Sequence, residues 1–216
     1  MLQNYFKIAF RNLWRNKLYV LINVLGLGVA LSCCIIAYLN QKYDGEFNAF
    51  HSKKDNLFRV ESYRSSDGHL YGIAPLPMSE AALKDIPNIK NATRLHWQFG
   101  VAKSGENTFN DRMAYADENF FDLFDFEIIK GDKNCIKDRS KVVITEEAAK
   151  KYFGNEDPIG KRITYQPNKP DEKSYVIGAL MKDSPPNSSI KFPFLANINN
   201  MVNQEGESID LTNWNW

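Results

Sequence analysis

The side chains that could carry chemistry are few and widely spaced in this sequence. Its three histidines, His51, His69 and His96, lack the H-E-x-x-H spacing that places two imidazoles on one helix face for zinc. No C-x-x-C or G-x-S-x-G motif supplies a thiol pair or an activated serine. Carboxylates are numerous, but no pair of them suggests a general acid and base. We therefore expect no catalytic residue, no metal ligand and no cofactor.

The segment from Gly154 to Arg162 superficially resembles a phosphate-binding loop. It has five residues between its glycines where that loop has four, and it lacks a Ser or Thr after Lys161. It also follows a predicted helix, whereas a phosphate loop follows a strand. We assign the residues around it to helix capping, packing and turn geometry: Thr145, Phe153, Gly154, Asp157, Pro158 and Gly160.

Charge is unevenly divided along the chain. The protein has 216 residues, a net charge of +1 and 44% hydrophobic residues, which is not typical of a nucleic-acid-binding protein. Residues 1–43 contain five basic residues and no acidic residue, whereas residues 44–216 contain 22 basic and 26 acidic residues. The second part thus carries a net charge of −4. A basic head and an acidic body indicate two different environments.

Residues 18–39 form an uncharged run that contains twelve Leu, Ile or Val residues. As a helix, the run would be about 33 Å long, slightly more than a hydrocarbon core of roughly 30 Å. Four of the five basic residues of the head precede it, which favours a cytoplasmic N-terminus. We predict a cytoplasmic segment at 1–17, a transmembrane helix at 18–40 and a periplasmic domain at 44–216.

Three other interpretations of the apolar run are weaker. A core helix of a soluble protein rarely extends so far without a charge. A cleaved signal peptide has a shorter apolar region of about 7–15 residues and a small-residue cleavage site. A lipoprotein attachment site at Cys33 would be followed by a polar linker, whereas apolar residues follow here.

Cys135 is the only cysteine outside the apolar run, which excludes a disulfide framework in that part of the chain.

Small residues recur at helical spacing within the run. Gly26 and Ala30 form one pair, and Gly28 and Ser32 form another on an adjacent face. Such pairs let two membrane helices approach closely, which predicts packing against another helix, either in a dimer or within a longer chain. The alternative is that these glycines reflect only the high frequency of glycine in membrane helices.

The residues before the run predict a basic amphipathic helix on the membrane surface. Lys7, Arg11 and Arg15 fall on one side of it. This helix would serve as an anchor in membrane lipid or as a docking element for a cytoplasmic protein. Its apolar residues recur at spacings of three and four: Leu2, Tyr5, Phe6, Ala9, Phe10, Leu13 and Trp14.

The residues after the run alternate between strand and helix patterns, which predicts an α+β fold. Ser79 is a candidate N-cap of a short helix, and Glu118–Phe124 is an aromatic-rich helical turn. Thr145 and Gly154 would cap a helix over Glu146–Phe153. Strands are predicted at 57–64, 92–103, 108–115, 141–145, 161–165 and 174–180.

Six segments, in order, resemble MacB/FtsX-like ABC transporter permeases. They cover nearly the whole chain, so that together they are more specific than any one of them. They are FRNLWRNK at 10–17, LINVLGLG at 21–28, NFFDLFDF at 119–126, VITEEAAKKYFG at 143–154, DPIGK at 157–161, and VIGA at 176–179 followed by DSPPNS at 183–188.

The resemblance implies an N-terminal transmembrane helix followed by a mixed α/β periplasmic core domain, with one porter-like and one smaller α/β subdomain. Family members couple a cytoplasmic ABC ATPase to periplasmic movement, typically as dimers, and some work with periplasmic and outer-membrane partners in the bacterial inner membrane. The chain would be an N-terminal fragment with an incomplete domain, served by a separate ATPase subunit. The dimers of the family imply that this chain works as a homodimer or paired permease.

Two other functions are compatible with the anchor. A single-span sensor would bind a ligand with its extracytoplasmic domain and signal through a cytoplasmic domain after a second span. A membrane-tethered enzyme would need a catalytic constellation, which the sequence does not offer. We therefore favour a non-catalytic permease subunit.

Overall fold

Two helices form the first unit, Met1–Phe47, in a computed structural model that describes residues 2–202 and 205–214. Helix α1 spans Leu2–Arg15 and helix α2 spans Lys17–Gly45. They are separated at Asn16, whose φ of −109° and ψ of 39° are not helical. The side chain of Leu2, predicted on the apolar face, and the predicted domain end at Trp216 lie outside the described residues.

Helix α2 contains the predicted apolar run and continues beyond it. Its 29 residues correspond to about 43 Å. Among the described residues it is the one helix long and apolar enough to cross a membrane, and none of its side chains is buried. The extension from Asn40 to Gly45 carries Lys42 and Asp44, so the helix leaves the apolar region before it ends.

The second unit, Asn48–Trp216, contains two sheets. Strands β1 (Ser62–Arg64) and β2 (His69–Tyr71) form a small antiparallel hairpin. The large sheet has seven strands: β3 (Leu95–Ser104), β4 (Asn107–Ala116), β5 (Ile128–Gly131), β6 (Lys141–Thr145), β7 (Arg162–Tyr165), β8 (Lys173–Met181) and β9 (Phe194–Asn197). The helices of this unit are α3 (Met78–Asp85), α4 (Phe120–Leu123) and α5 (Glu146–Phe153).

The large sheet closes on itself. Its order is β5-β8-β6-β9-β4-β3-β7, and β7 pairs again with β8, so that six strands form a closed ring with β5 outside it. The pairs β4–β9 and β6–β8 are parallel, and the other pairs are antiparallel. Closure leaves few free strand edges at which another chain could pair.

The two faces of the sheet bury two separate apolar clusters, as the alternation of a strand requires. In β6, Val142 and Ile144 belong to the first cluster and Val143 to the second. In the pairing of β6 with β8, Val142 lies opposite Ile177 but Val143 lies opposite Ala179, so Gly178 forms a bulge. The side chains of β8 therefore change face at Gly178. A Cβ at Gly178 would lie 2.6 Å from Cβ of Cys135, so only glycine fits there.

Several predicted elements are corrected by the structure. The strand predicted at 57–64 is reduced to β1, and Ser79 is the second residue of α3 instead of its cap, since Pro77 precedes the helix. Proline suits a helix start because its φ is already helical and it needs no N–H partner there. Strands β2, β5 and β9 were not predicted.

Candidate functional site

The second unit opens with a short segment, Asn48–Lys53, which we call the junction segment. It begins three residues after α2 ends at Gly45. Asn48 has a φ of 56°, a left-handed conformation that Asn tolerates better than most side chains. Its backbone N–H donates to the carbonyl of Asn187 at 2.9 Å. Its Oδ1 accepts from the backbone N–H of Ser189 at 2.8 Å and from the Ser189 hydroxyl at 3.0 Å.

His51 is the buried centre of the junction segment, with 2% of its surface exposed. Its Nδ1 accepts a hydrogen bond from the backbone N–H of Asp125 at 3.1 Å, so this nitrogen carries no proton. The neutral ring must then hold its proton on Nε2, which has no hydrogen-bond partner among the described residues. Burial lowers the pKa of His51, and the nearby Asp125 charge only partly opposes this.

Aromatic rings surround His51. The ring centroids of Phe50, Phe124 and Phe126 lie 3.9, 5.2 and 5.4 Å from the imidazole. Phe126 in turn stacks on the fully buried Phe120 at 5.7 Å. These contacts fix the junction segment on the second apolar cluster.

Polar contacts hold the end of the junction segment. The Asp125 carboxylate accepts from the backbone N–H of Ser52 at 2.5 Å, and this hydrogen bond lowers the pKa of Asp125. The Lys53 ammonium donates to the carbonyl of Asp122. Both aspartates belong to the NFFDLFDF motif. The contacts of Asn48 reach the DSPPNS motif and the residue after it, so two motifs far apart in sequence meet at the junction segment.

A second polar contact lies at the end of β4, just before the NFFDLFDF motif. Asp117 accepts from Nη2 of Arg94 at 2.6 Å, from its Nε at 3.1 Å and from its backbone N–H at 2.6 Å. The two side chains are only 14% and 18% exposed. Nη1 of Arg94 also lies 3.7 Å from Oε1 of Glu80 in α3. The Arg94–Asp117 pair therefore connects α3 with the large sheet.

The predicted capping residues lie around α5. The Thr145 hydroxyl accepts from the N–H of Ala148 at 3.3 Å, and Gly154 ends the helix with a φ of 64°. Phe153 packs against the first apolar cluster. These positions are distant in sequence from the junction segment and share no described hydrogen bond with it.

The other predicted turn residues follow α5 directly. Asp157 accepts from the N–H of Ile159 at 3.2 Å and forms an ion pair with Lys130. Pro158 is buried, and Gly160 has a φ of 80°. These local contacts are compatible with the structural role that we predict for them.

The small residues of α2 lie on its exposed surface. A Cβ at Gly26 or Gly28 would meet no atom within 4 Å, so neither glycine is required by contacts within the described residues. The Ser32 hydroxyl donates to the carbonyl of Gly28 at 2.8 Å, which satisfies it without a partner helix. Both pairs of small residues are therefore free to face another helix.

Comparison with known proteins relates most of α2 and of the second unit to a known domain family. The family of the MacB-like periplasmic core domain matches residues 20–210. A domain of a permease protein from Porphyromonas gingivalis is 26% identical, with a TM-score of 0.55, over 66% of this chain and 60% of that one. No curated protein matches the chain.

Two further structures are more distant. The periplasmic region of MacB from Actinobacillus actinomycetemcomitans is 18% identical over 71% of this chain and 64% of that one, with a TM-score of 0.46. The extracellular domain of the noncanonic ABC-type transporter YknZ from Gram-positive bacteria is 14% identical over 56% of this chain and 62% of that one. Its TM-score is also 0.46.

The chain spans 60% of the length of the Porphyromonas gingivalis domain. The family match covers most of the chain, and the mixed α+β fold after one apolar helix agrees with it. Together they describe a membrane-anchored protein with an extracytoplasmic domain. The chain therefore belongs to the MacB/FtsX-like permeases that carry a MacB-like periplasmic core domain.

Proposed function

We propose that this chain is the non-catalytic permease subunit of an ABC export or mechanotransmission system. It couples a separate cytoplasmic ATPase to movements of its extracytoplasmic domain. The protein lies in the bacterial inner membrane. Its N-terminus is cytoplasmic, because most basic residues of the head precede the apolar run of α2. In this arrangement, residues 1–17 are cytoplasmic, residues 18–40 cross the membrane and the residues from 44 onward are periplasmic.

One observation supports this function above the others: the junction segment that follows α2 is fixed to the domain by hydrogen bonds at both ends and by aromatic packing between them. A flexible tether would need no such contacts. Movement of α2 would reach the domain through Asn48, His51 and Ser52, whose partners lie in two separate loops. Mechanical coupling requires that the segment which receives the movement be held firmly on the domain.

Coupling can be tested with the full chain in bacterial membranes. We expect chemical cross-linking and purification to recover an ABC ATPase. We further expect a fluorophore at Ser66→Cys, on the exposed hairpin, to report a change when ATP is added. Asp125→Ala removes the acceptor of Ser52 and should reduce that change by more than half, while ATPase recovery is unaffected.

The matched control is Asp210→Ala, which removes a similar acceptor for the N–H of Thr212 far from the junction segment in sequence. It should leave the ATP-dependent change intact. Recovery of no ABC ATPase would contradict the proposed function and favour a sensor. An unchanged response in Asp125→Ala would show that coupling does not use the junction segment.

Pairing of two copies through α2 is a separate prediction. Cys33 follows Ala30 by three residues and is exposed on α2, so it lies near the face of Gly26 and Ala30. We expect oxidation in the membrane to join two chains through Cys33. Gly26→Leu should reduce that product at least about fivefold, because the leucine side chain would keep the two helix backbones from approaching closely.

Val24→Phe, which adds bulk on the side of α2 opposite Gly26, is the control and should leave cross-linking through Cys33 unchanged. A Cys33→Ser variant should give no cross-linked product through this face. Equal cross-linking in wild type and Gly26→Leu would show that the small residues do not pack against a second copy.

A further inference from the structure

Helix α1 presents large apolar side chains that nothing in the described part of the chain covers. Phe6, Phe10 and Trp14 are 72%, 65% and 74% exposed, and Tyr5 and Leu13 are also exposed. Isolated exposed apolar residues are ordinary, but a continuous row along one helix marks an interaction surface. The Phe10 and Trp14 rings lie 6.1 Å apart, so the row is continuous.

A row of cations runs beside the aromatic row. Lys7, Arg11 and Arg15 are spaced by four residues, which places them one above another on the helix. None of the three forms an ion pair within residues 2–202 or 205–214. The first acidic residue of the chain is Asp44, so no neighbouring carboxylate competes for them.

The two rows border one open groove of about 770 Å³. Its lining alternates ring and cation along the helix: Phe6, Lys7, Phe10, Arg11, Trp14 and Arg15. Such a lining suits a molecule that has an anionic group next to a hydrocarbon chain. Guanidinium groups bind phosphate through paired N–H donors, and aromatic rings favour the boundary between headgroup and acyl region.

We propose that this groove binds anionic phospholipid, with the phosphate on the cations and the first acyl carbons on the rings. The occupant is a lipid of the surrounding bilayer because α2, the membrane-crossing helix, begins at Lys17, two residues after α1 ends. The α1 surface is thereby held at the bilayer at high effective concentration. The proposal does not depend on an ATPase partner or on transport.

The test uses the full chain in bilayers that contain phosphatidylcholine and phosphatidylglycerol, with bromine on the acyl chains of one lipid at a time. The contribution of Trp14 to fluorescence quenching is isolated by subtracting the signal of Trp14→Phe. We expect brominated phosphatidylglycerol to quench Trp14 more strongly than its share of the bilayer. Each cation near an anionic surface should enrich that lipid by up to about fivefold.

The variant Lys7→Gln/Arg11→Gln/Arg15→Gln should abolish this preference, and high salt should weaken it. Lys42→Gln, which removes a cation at the other end of α2, is the control and should retain it. Equal quenching by the two lipids would overturn the proposal. Absence of quenching by either lipid would also overturn it, because it would show that Trp14 does not lie against acyl chains.

Discussion

Asp117→Ala is expected to destabilise the second unit by about 3–5 kcal/mol, because it leaves a mostly buried guanidinium without its carboxylate. Arg94 donates to Asp117 through two side-chain nitrogens and one backbone N–H, so one substitution removes several charge-assisted hydrogen bonds. Chemical denaturation of the detergent-solubilised full chain, followed by fluorescence, measures the loss.

The pair Lys182–Glu127 provides a matched control. Its nitrogen and oxygen lie 3.1 Å apart, and its side chains are 60% and 66% exposed. Water screens such a pair, so Glu127→Ala should change stability far less than Asp117→Ala. Asp117→Asn keeps the shape and part of the hydrogen bonding, and should lie between the two. Similar losses in both alanine variants would contradict the structural role that we assign to the buried pair.

The Arg94–Asp117 pair also explains how α3 is attached. Arg94 directly precedes β3, Asp117 directly follows β4, and Glu80 of α3 lies beside the same guanidinium. Without Asp117, the guanidinium that lies beside Glu80 of α3 loses its carboxylate partner at the end of β4. We therefore expect Asp117→Ala to increase protease cleavage between β2 and β3 before the rest of the unit unfolds.

Local signals were sufficient to predict some elements in full. Strand β6 and helix α5 have the predicted bounds, because a capping threonine, two acidic residues, two basic residues and a terminal glycine all lie within ten residues. Strand β9 was missed for the opposite reason. All four of its residues are buried, so it shows no alternation, and it is too short to be separated from a loop by composition.

The junction segment could not be predicted, because its partners are distant in sequence. His51 and Asp125 are 74 positions apart, and Asn48 and Ser189 are 141 positions apart. The NFFDLFDF and DSPPNS motifs indicated the family, but nothing in their composition showed that both contact the residues after α2. The spacing of the histidines argued only against a zinc site, and it did not show that His51 is buried among aromatic rings.

Acid is expected to loosen the junction segment through His51. The pKa of His51 is lowered in the folded chain, so the unfolded chain binds this proton more readily. The contribution of neutral His51 to stability is complete above about pH 6.5, the ordinary pKa, and is lost as the pH falls below it. The loss is at most about 1.4 kcal/mol per pH unit for one proton, and protonation at Nδ1 also removes the acceptor of the Asp125 N–H.

His51→Asn separates titration from packing, because an amide oxygen can accept from the Asp125 N–H but does not titrate near neutral pH. We expect wild type to lose stability between pH 7 and pH 5 and His51→Asn to lose much less. His96 lies at an exposed position of β3, so His96→Asn is the control and should retain most of the pH dependence. The Asp125 carboxylate, whose own pKa is lowered, stays ionised over this range and does not confuse the comparison. If His51→Asn follows the wild-type pH profile, the acid response originates elsewhere, and His51 does not control the attachment of the junction segment.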